Sequence, residues 1–129
     1  MARKHQYPEG FRFLDEQHGE LLGILGRMKQ LAGKGDVTAL AKDLLTALRR
    51  HSQSEEQVMA ETGCPDLELH AEYHEHVFSS LEYIIQLLDR DQMQAYRSDI
   101  ATHIENILSE EFFFDRLLIE YLERQQSAS

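Results

Sequence analysis

The chain is poor in residues that punctuate or staple a fold: its 129 residues include two prolines, seven glycines and one cysteine. A lone Cys64 excludes an internal disulfide. Neither proline falls inside a long periodic stretch, and no Asn-Gly or Asp-Gly pair signals a β-hairpin. Positive charge is scarce too, with 13 Lys plus Arg against 23 Asp plus Glu, a net charge of -10 and a pI near 5.1. That balance argues against nucleic acid and anionic membrane as partners, which are both bound through positive charge. No apolar run approaches the roughly 20 residues of a bilayer span. The start MARKHQYPEGF has no apolar segment of the signal-peptide kind, so a soluble, cytoplasmic protein is expected. Internal repeats and low-complexity segments are absent, and the length suits one domain with one core.

What the chain does have is helical periodicity. Residues 1–10 read as a polar N-terminal arm packing loosely on the body, and residues 11–124 as the bundle itself. The first helix is expected from Phe11 to Ala32, with Leu14, His18, Leu21, Leu22, Leu25 and Met28 on one stripe. Gly33 and Gly35 end it, and Asp36 caps the next helix, Val37 to Thr62. Its inner stripe holds Leu40, Leu44, Leu48, His51, Glu55, Val58 and Met59. Gly63 stops it. Asp66 caps a third helix, Leu67 to Leu88, with His70, His74, Val77, Phe78, Leu81, Ile84, Ile85 and Leu88 inward. After a turn at Asp89 to Gln92, a fourth helix from Met93 to Arg124 turns Tyr96, Ile100, His103, Ile107, Glu110, Glu111, Phe114, Asp115, Leu118 and Leu122 inward. Residues 125–129 form a polar, frayed tail. Short connections between four helices give an all-α, antiparallel up-down-up-down four-helix bundle.

The most informative stretch runs from Arg50 to Phe78. His51 precedes Glu55 by four residues and His70 precedes His74 by four, with Gly63, Cys64 and Pro65 between the pairs. Residues i and i+4 share one helix face, about 6 Å apart along the axis. Each pair is therefore a two-pronged ligand. In an alternating bundle His18, His51, Glu55, His70, His74, Glu110 and Asp115 all fall near one end. Buried imidazoles and carboxylates are costly alone, and a metal satisfies both together.

These motifs resemble the hemerythrin family. LDEQHGELL around His18, HSQSEEQVM, the GCP turn and HAEYH are similar to that family's motifs, and the resemblance spans about Phe11 to Leu122. It implies two iron ions, oxo- or hydroxo-bridged, one held by His18 and His51 and the other by His70 and His74, with Glu55 and Asp115 bridging. It also implies that O2 binds at the ion held by His18 and His51. In the fourth helix the family pattern has a histidine five residues before the aspartate, usually followed by isoleucine. Here Glu110 and Glu111 stand at those positions, so Glu110 is expected to take the histidine's place. Glu111 and His103 are expected as pocket or supporting residues, His103 as a buried, hydrogen-bonded one. An added carboxylate favours the higher oxidation state, which shifts such a site toward reaction with O2 or peroxide and also suits manganese. Three readings follow: an O2-binding protein, a di-iron or Fe/Mn oxidoreductase acting as oxidase, peroxidase or NO-handling protein, and an iron-handling protein. No large apolar outer face is apparent, so a monomer is expected.

Overall fold

The computed structural model describes residues 7–31, 37–90 and 99–128. Within them lie four helices: α1 (Arg12–Leu31), α2 (Val37–Thr62), α3 (Leu67–Asp89) and α4 (Ile100–Ala128). Each packs against the next in sequence, and α4 closes against α1, as an all-α four-helix bundle requires. No helix among the described residues is long and apolar enough to cross a membrane. The expected roles of Gly33, Gly35, Asp36 and Tyr96 lie outside the described residues, as does the start of the fourth helix at Met93.

The turn between α2 and α3 shows how local sequence sets these boundaries. Gly63 adopts φ 69°, a left-handed conformation open to glycine at little cost. The Cys64 N–H then reaches back to the Met59 carbonyl at 2.8 Å, and the Gly63 N–H to the Ala60 carbonyl at 3.4 Å. This is a Schellman closure, and Cys64 and Met59 make its apolar contact in one buried cluster. Asp66 stands at the N-cap of α3 but makes no side-chain cap hydrogen bond, contrary to expectation.

The core has three layers. A large apolar layer takes Leu21, Leu25 and Met28 from α1, Leu44 and Leu48 from α2, Val77 and Leu81 from α3, and Ile100, Ile104 and Leu108 from α4. A smaller one at the other end holds Tyr7, Leu14, Val58, Met59, Cys64, Leu118, Ile119 and Leu122. Between them on every helix comes a polar step: His18, then His51 and Glu55, then His70 and His74, then Glu111 and Asp115, all buried. The polar residues thus share one level, as expected, but an apolar cap closes that end of the bundle. Burying each large aliphatic side chain in the flanking layers contributes roughly 1.5–3 kcal/mol, which offsets the cost of the polar layer.

Two expectations at the ends of the chain are corrected. Tyr7 is 3% exposed, so the arm is packed tightly at that point. Its backbone N–H donates to both carboxylate oxygens of Asp15, at 3.2 and 3.3 Å. Residues 125–128 continue α4, because they include no glycine or proline to stop a helix, and the Gln126 side chain donates to the Glu9 carbonyl at 2.9 Å.

Candidate metal centre

Seven buried side chains meet in the polar layer, two from each of α2, α3 and α4 and one from α1. One donor atom from each of His51, Glu55 and Asp115 lies within 4.8 Å of the others, and the same holds for Glu55, His74 and Glu111. The two triads share Glu55. Its Oε1 lies 3.3 Å from His74 Nε2, while its Oε2 lies 3.7 Å from His51 Nε2. Asp115 Oδ2 lies 3.4 Å from His51 Nε2 and 3.7 Å from His18 Nε2. Glu111 Oε1 lies 3.2 Å from His74 Nε2.

The outer nitrogens of the rings are held in place. His51 Nδ1 meets the Gln17 amide oxygen at 3.1 Å, and His74 Nδ1 meets Glu56 Oε2 at 2.8 Å. The nitrogens facing inward are therefore the acceptors left over for another group. His70 Nε2–H donates to the Phe114 carbonyl at 3.0 Å, leaving a buried Nδ1 without a hydrogen bond. His51 Nε2, His74 Nε2, Glu55 Oε1 and both carboxylate oxygens of Glu111 and Asp115 are likewise buried without a hydrogen-bond partner. Native proteins rarely strand so many polar atoms together. A cation is the group that accepts lone pairs from all of them at once, so the donor set fits a metal.

Charge in the metal-free cluster points the same way. Burial alone would raise the Glu55 carboxyl, but the His51 charge, the neighbouring His74 and Asp115 groups and the Tyr7 hydroxyl bring it down to about 2. Burial disfavours a charged His74 ring, yet the carboxylates of Glu111 and Glu55 beside it raise its pKa to about 11. Burial and the charges of Glu55 and Glu111 hold Asp115 well above the usual carboxylate range. Protons thus hold the carboxylates together where a cation otherwise would.

Two sequence expectations change here. Glu110 is exposed and accepts a hydrogen bond from the Tyr73 hydroxyl at 3.2 Å, while Glu111, fully buried, faces the cluster. The reason is helical geometry: at about 100° per residue, the position four before Asp115 lies about 40° round the helix and the position five before it about 140°. The true inner stripe of α4 is Ile104, Leu108, Glu111, Asp115, Leu118 and Leu122. His103 falls off that stripe and is exposed rather than buried, lining a separate surface cleft with His76, Asn106 and Glu110.

Sequence reasoning missed Tyr7, Gln17 and Glu56. The Tyr7 hydroxyl donates to Glu55 Oε2 at 2.6 Å, and nothing in a polar arm signals that contact. Burial and the neighbouring Glu55 charge push its pKa well above the ordinary value. Gln17 and Glu56 sit beside ligand-type residues in sequence, and their role becomes visible only once the rings are oriented. A cleft of about 250 Å³ reaches the layer from solvent, lined by Tyr7, His18, Phe112, Asp115, Arg116 and Ile119 among others.

Comparison with known proteins agrees with this geometry. The family model described as "Hemerythrin HHE cation binding domain" matches residues 9–120. The chain is also 26% identical, over 122 residues covering 87% of each chain, to the bacteriohemerythrin of Campylobacter jejuni subsp. jejuni serotype O:23/36 (strain 81-176). No solved structure matches. With a family match over most of its length and His, Glu and Asp donors gathered in one buried layer, the chain belongs to the hemerythrin family and is a non-haem metal-binding protein.

Proposed function

We propose that the polar layer holds two iron ions and binds O2 or a related small ligand such as peroxide or NO. His18 and His51 would hold one ion, His70, His74 and Glu111 the other, with Glu55 and Asp115 shared. The observation that carries this reading is the pair of donor triads meeting at Glu55, whose two oxygens face different histidines. Iron at such a centre supplies a binding site for O2 and electrons for its reduction.

The protein's own part is to orient and to exclude. Gln17 and Glu56 fix ring tautomers, Tyr7 holds Glu55, and the two apolar layers keep bulk water from the donors. The cleft meets the layer on the His18 and Asp115 side, which favours ligand entry at the ion those residues would hold. Its walls combine the apolar Phe112 and Ile119 with the polar Tyr7 and Arg116, so they admit a small ligand without selecting for an apolar one. Glu111 brings a carboxylate to the second ion, and hard anionic donors favour the higher oxidation state. This supports a centre tuned toward reaction with O2 or peroxide, an oxidoreductase rather than a simple carrier, and admits manganese.

Metal analysis of the isolated protein, followed by anaerobic reduction and rapid mixing with O2, tests the reading. Two iron ions per chain and a prompt optical change on mixing are expected. A visible band removed again under vacuum would assign reversible binding, and irreversible oxidation would assign reactivity. Fewer than two ions per chain after loading would overturn the dinuclear reading.

A further inference from the structure

The two halves of the polar layer are backed by different chemistry. Behind His74 stands a carboxylate, Glu56 at 2.8 Å, and behind His51 a neutral amide, Gln17 at 3.1 Å. The amide is itself oriented, since Gln17 Nε2–H donates to Ser54 Oγ at 3.0 Å. A carboxylate accepting the Nδ1–H makes the opposite nitrogen a stronger donor to a cation than an amide does, because its negative charge stabilises the charge the ring gives up.

Glu55 is polarised in the same sense. Its Oε2, on the His51 side, already accepts the Tyr7 hydroxyl at 2.6 Å, whereas Oε1, on the His74 side, has no hydrogen-bond partner. Each half adds one carboxylate with two unpartnered oxygens, Glu111 beside His74 and Asp115 beside His51, so the bias between them lies in Glu55 and in the residues behind the rings. The cleft, by contrast, is lined by His18 and Asp115 and by neither His74 nor Glu111.

Resting on the dinuclear reading above, we propose that the His74 half is a tight, enclosed cation subsite and the His51 half a weaker, exchangeable one, with Glu56 and Gln17 as the positioning residues that set the difference. The halves then fill in order. At limiting metal the protein carries one ion, held by His70, His74, Glu111 and Glu55, and a second ion of a different kind can enter through the cleft.

Anaerobic titration of the metal-free, full-length protein with Co(II), followed by optical absorption and calorimetry, reads the two steps separately. In the unaltered protein the steps differ by at least about tenfold in Kd, the scale on which such backing residues act. Glu56→Gln weakens the first step by about tenfold and leaves the second in place, while Gln17→Glu tightens the second by a similar factor. The double exchange narrows or reverses the order. Tyr7→Phe, which frees Glu55 Oε2, tightens the second step. Circular dichroism confirms that each variant folds. Two ions binding in one undivided step, or both exchanges moving the same step, would overturn the inference while leaving the dinuclear centre standing. Failure of the unaltered protein to bind a second ion at any concentration would instead remove the reading on which it rests.

Discussion

The large apolar layer and the polar layer are built from the same four helices at the same spacing, yet they serve opposite ends. Leu44, Leu81, Ile104 and Leu108 are fully buried and satisfied by contact alone. His51, Glu55, His74 and Glu111 are as deeply buried and are not satisfied by their neighbours. The first layer makes the bundle stable, and that stability allows the second to be held in an arrangement its own groups would not choose.

The sharpest test of this contrast is to complete the polar layer. Loading metal to about a thousand times its Kd is expected to raise unfolding free energy by about 4 kcal/mol, seen as a higher denaturation midpoint. No shift on loading would mean that the layer is satisfied without a cation. Next in size is damage to the apolar layer: Leu108→Ala should cost about 3 kcal/mol in metal-free and loaded protein alike, measured by urea denaturation. The mirror experiment, Glu111→Leu, should abolish tight metal binding and also destabilise the metal-free protein by about 3 kcal/mol, because it leaves the buried His74 charge without its main partner. A metal-free variant more stable than the unaltered protein would show that Glu111 is not paired with His74.

The pH dependence follows from His74. Its pKa is raised to about 11 by Glu111 and Glu55 against an ordinary value near 6.5, so the folded state holds this proton more tightly than the unfolded chain. The resulting stability is complete below about 6.5, declines across the interval, and is gone above about 11. The slope reaches at most about 1.4 kcal/mol per pH unit, in metal-free protein only, because a bound cation displaces the proton. A flat profile between pH 7 and 9 would show His74 neutral. Smallest of all, Glu110→Gln should change metal stoichiometry not at all and stability by less than about 0.5 kcal/mol. Loss of an ion in that variant would return the ligand role to Glu110.

Much of this was legible in the chain itself, for reasons that can be named. The bounds of α2 follow from its periodic stripe and from Gly63, whose left-handed turn leaves the helix nowhere to continue. The pairs His51 and Glu55, and His70 and His74, were readable because i and i+4 share a face on any regular helix. Glu111 was displaced by counting five residues back from Asp115, where regular helical geometry selects four. Tyr7 was hidden for a different reason. Its contact with Glu55 joins residues far apart in sequence, and no periodicity encodes a single side chain folding back from an arm.

The hairpin of α2 and α3, closed by the Gly63 turn, carries His51, Glu55, His70 and His74 together. Those donors are near neighbours along the chain, so bringing them together closes only a short loop and costs little chain entropy. His18 and Asp115 must come from the far ends of the sequence. The same residues therefore divide into a half brought together by one short hairpin and a half that requires contact between the first and last helices, the long-range closure that carries the larger entropy cost.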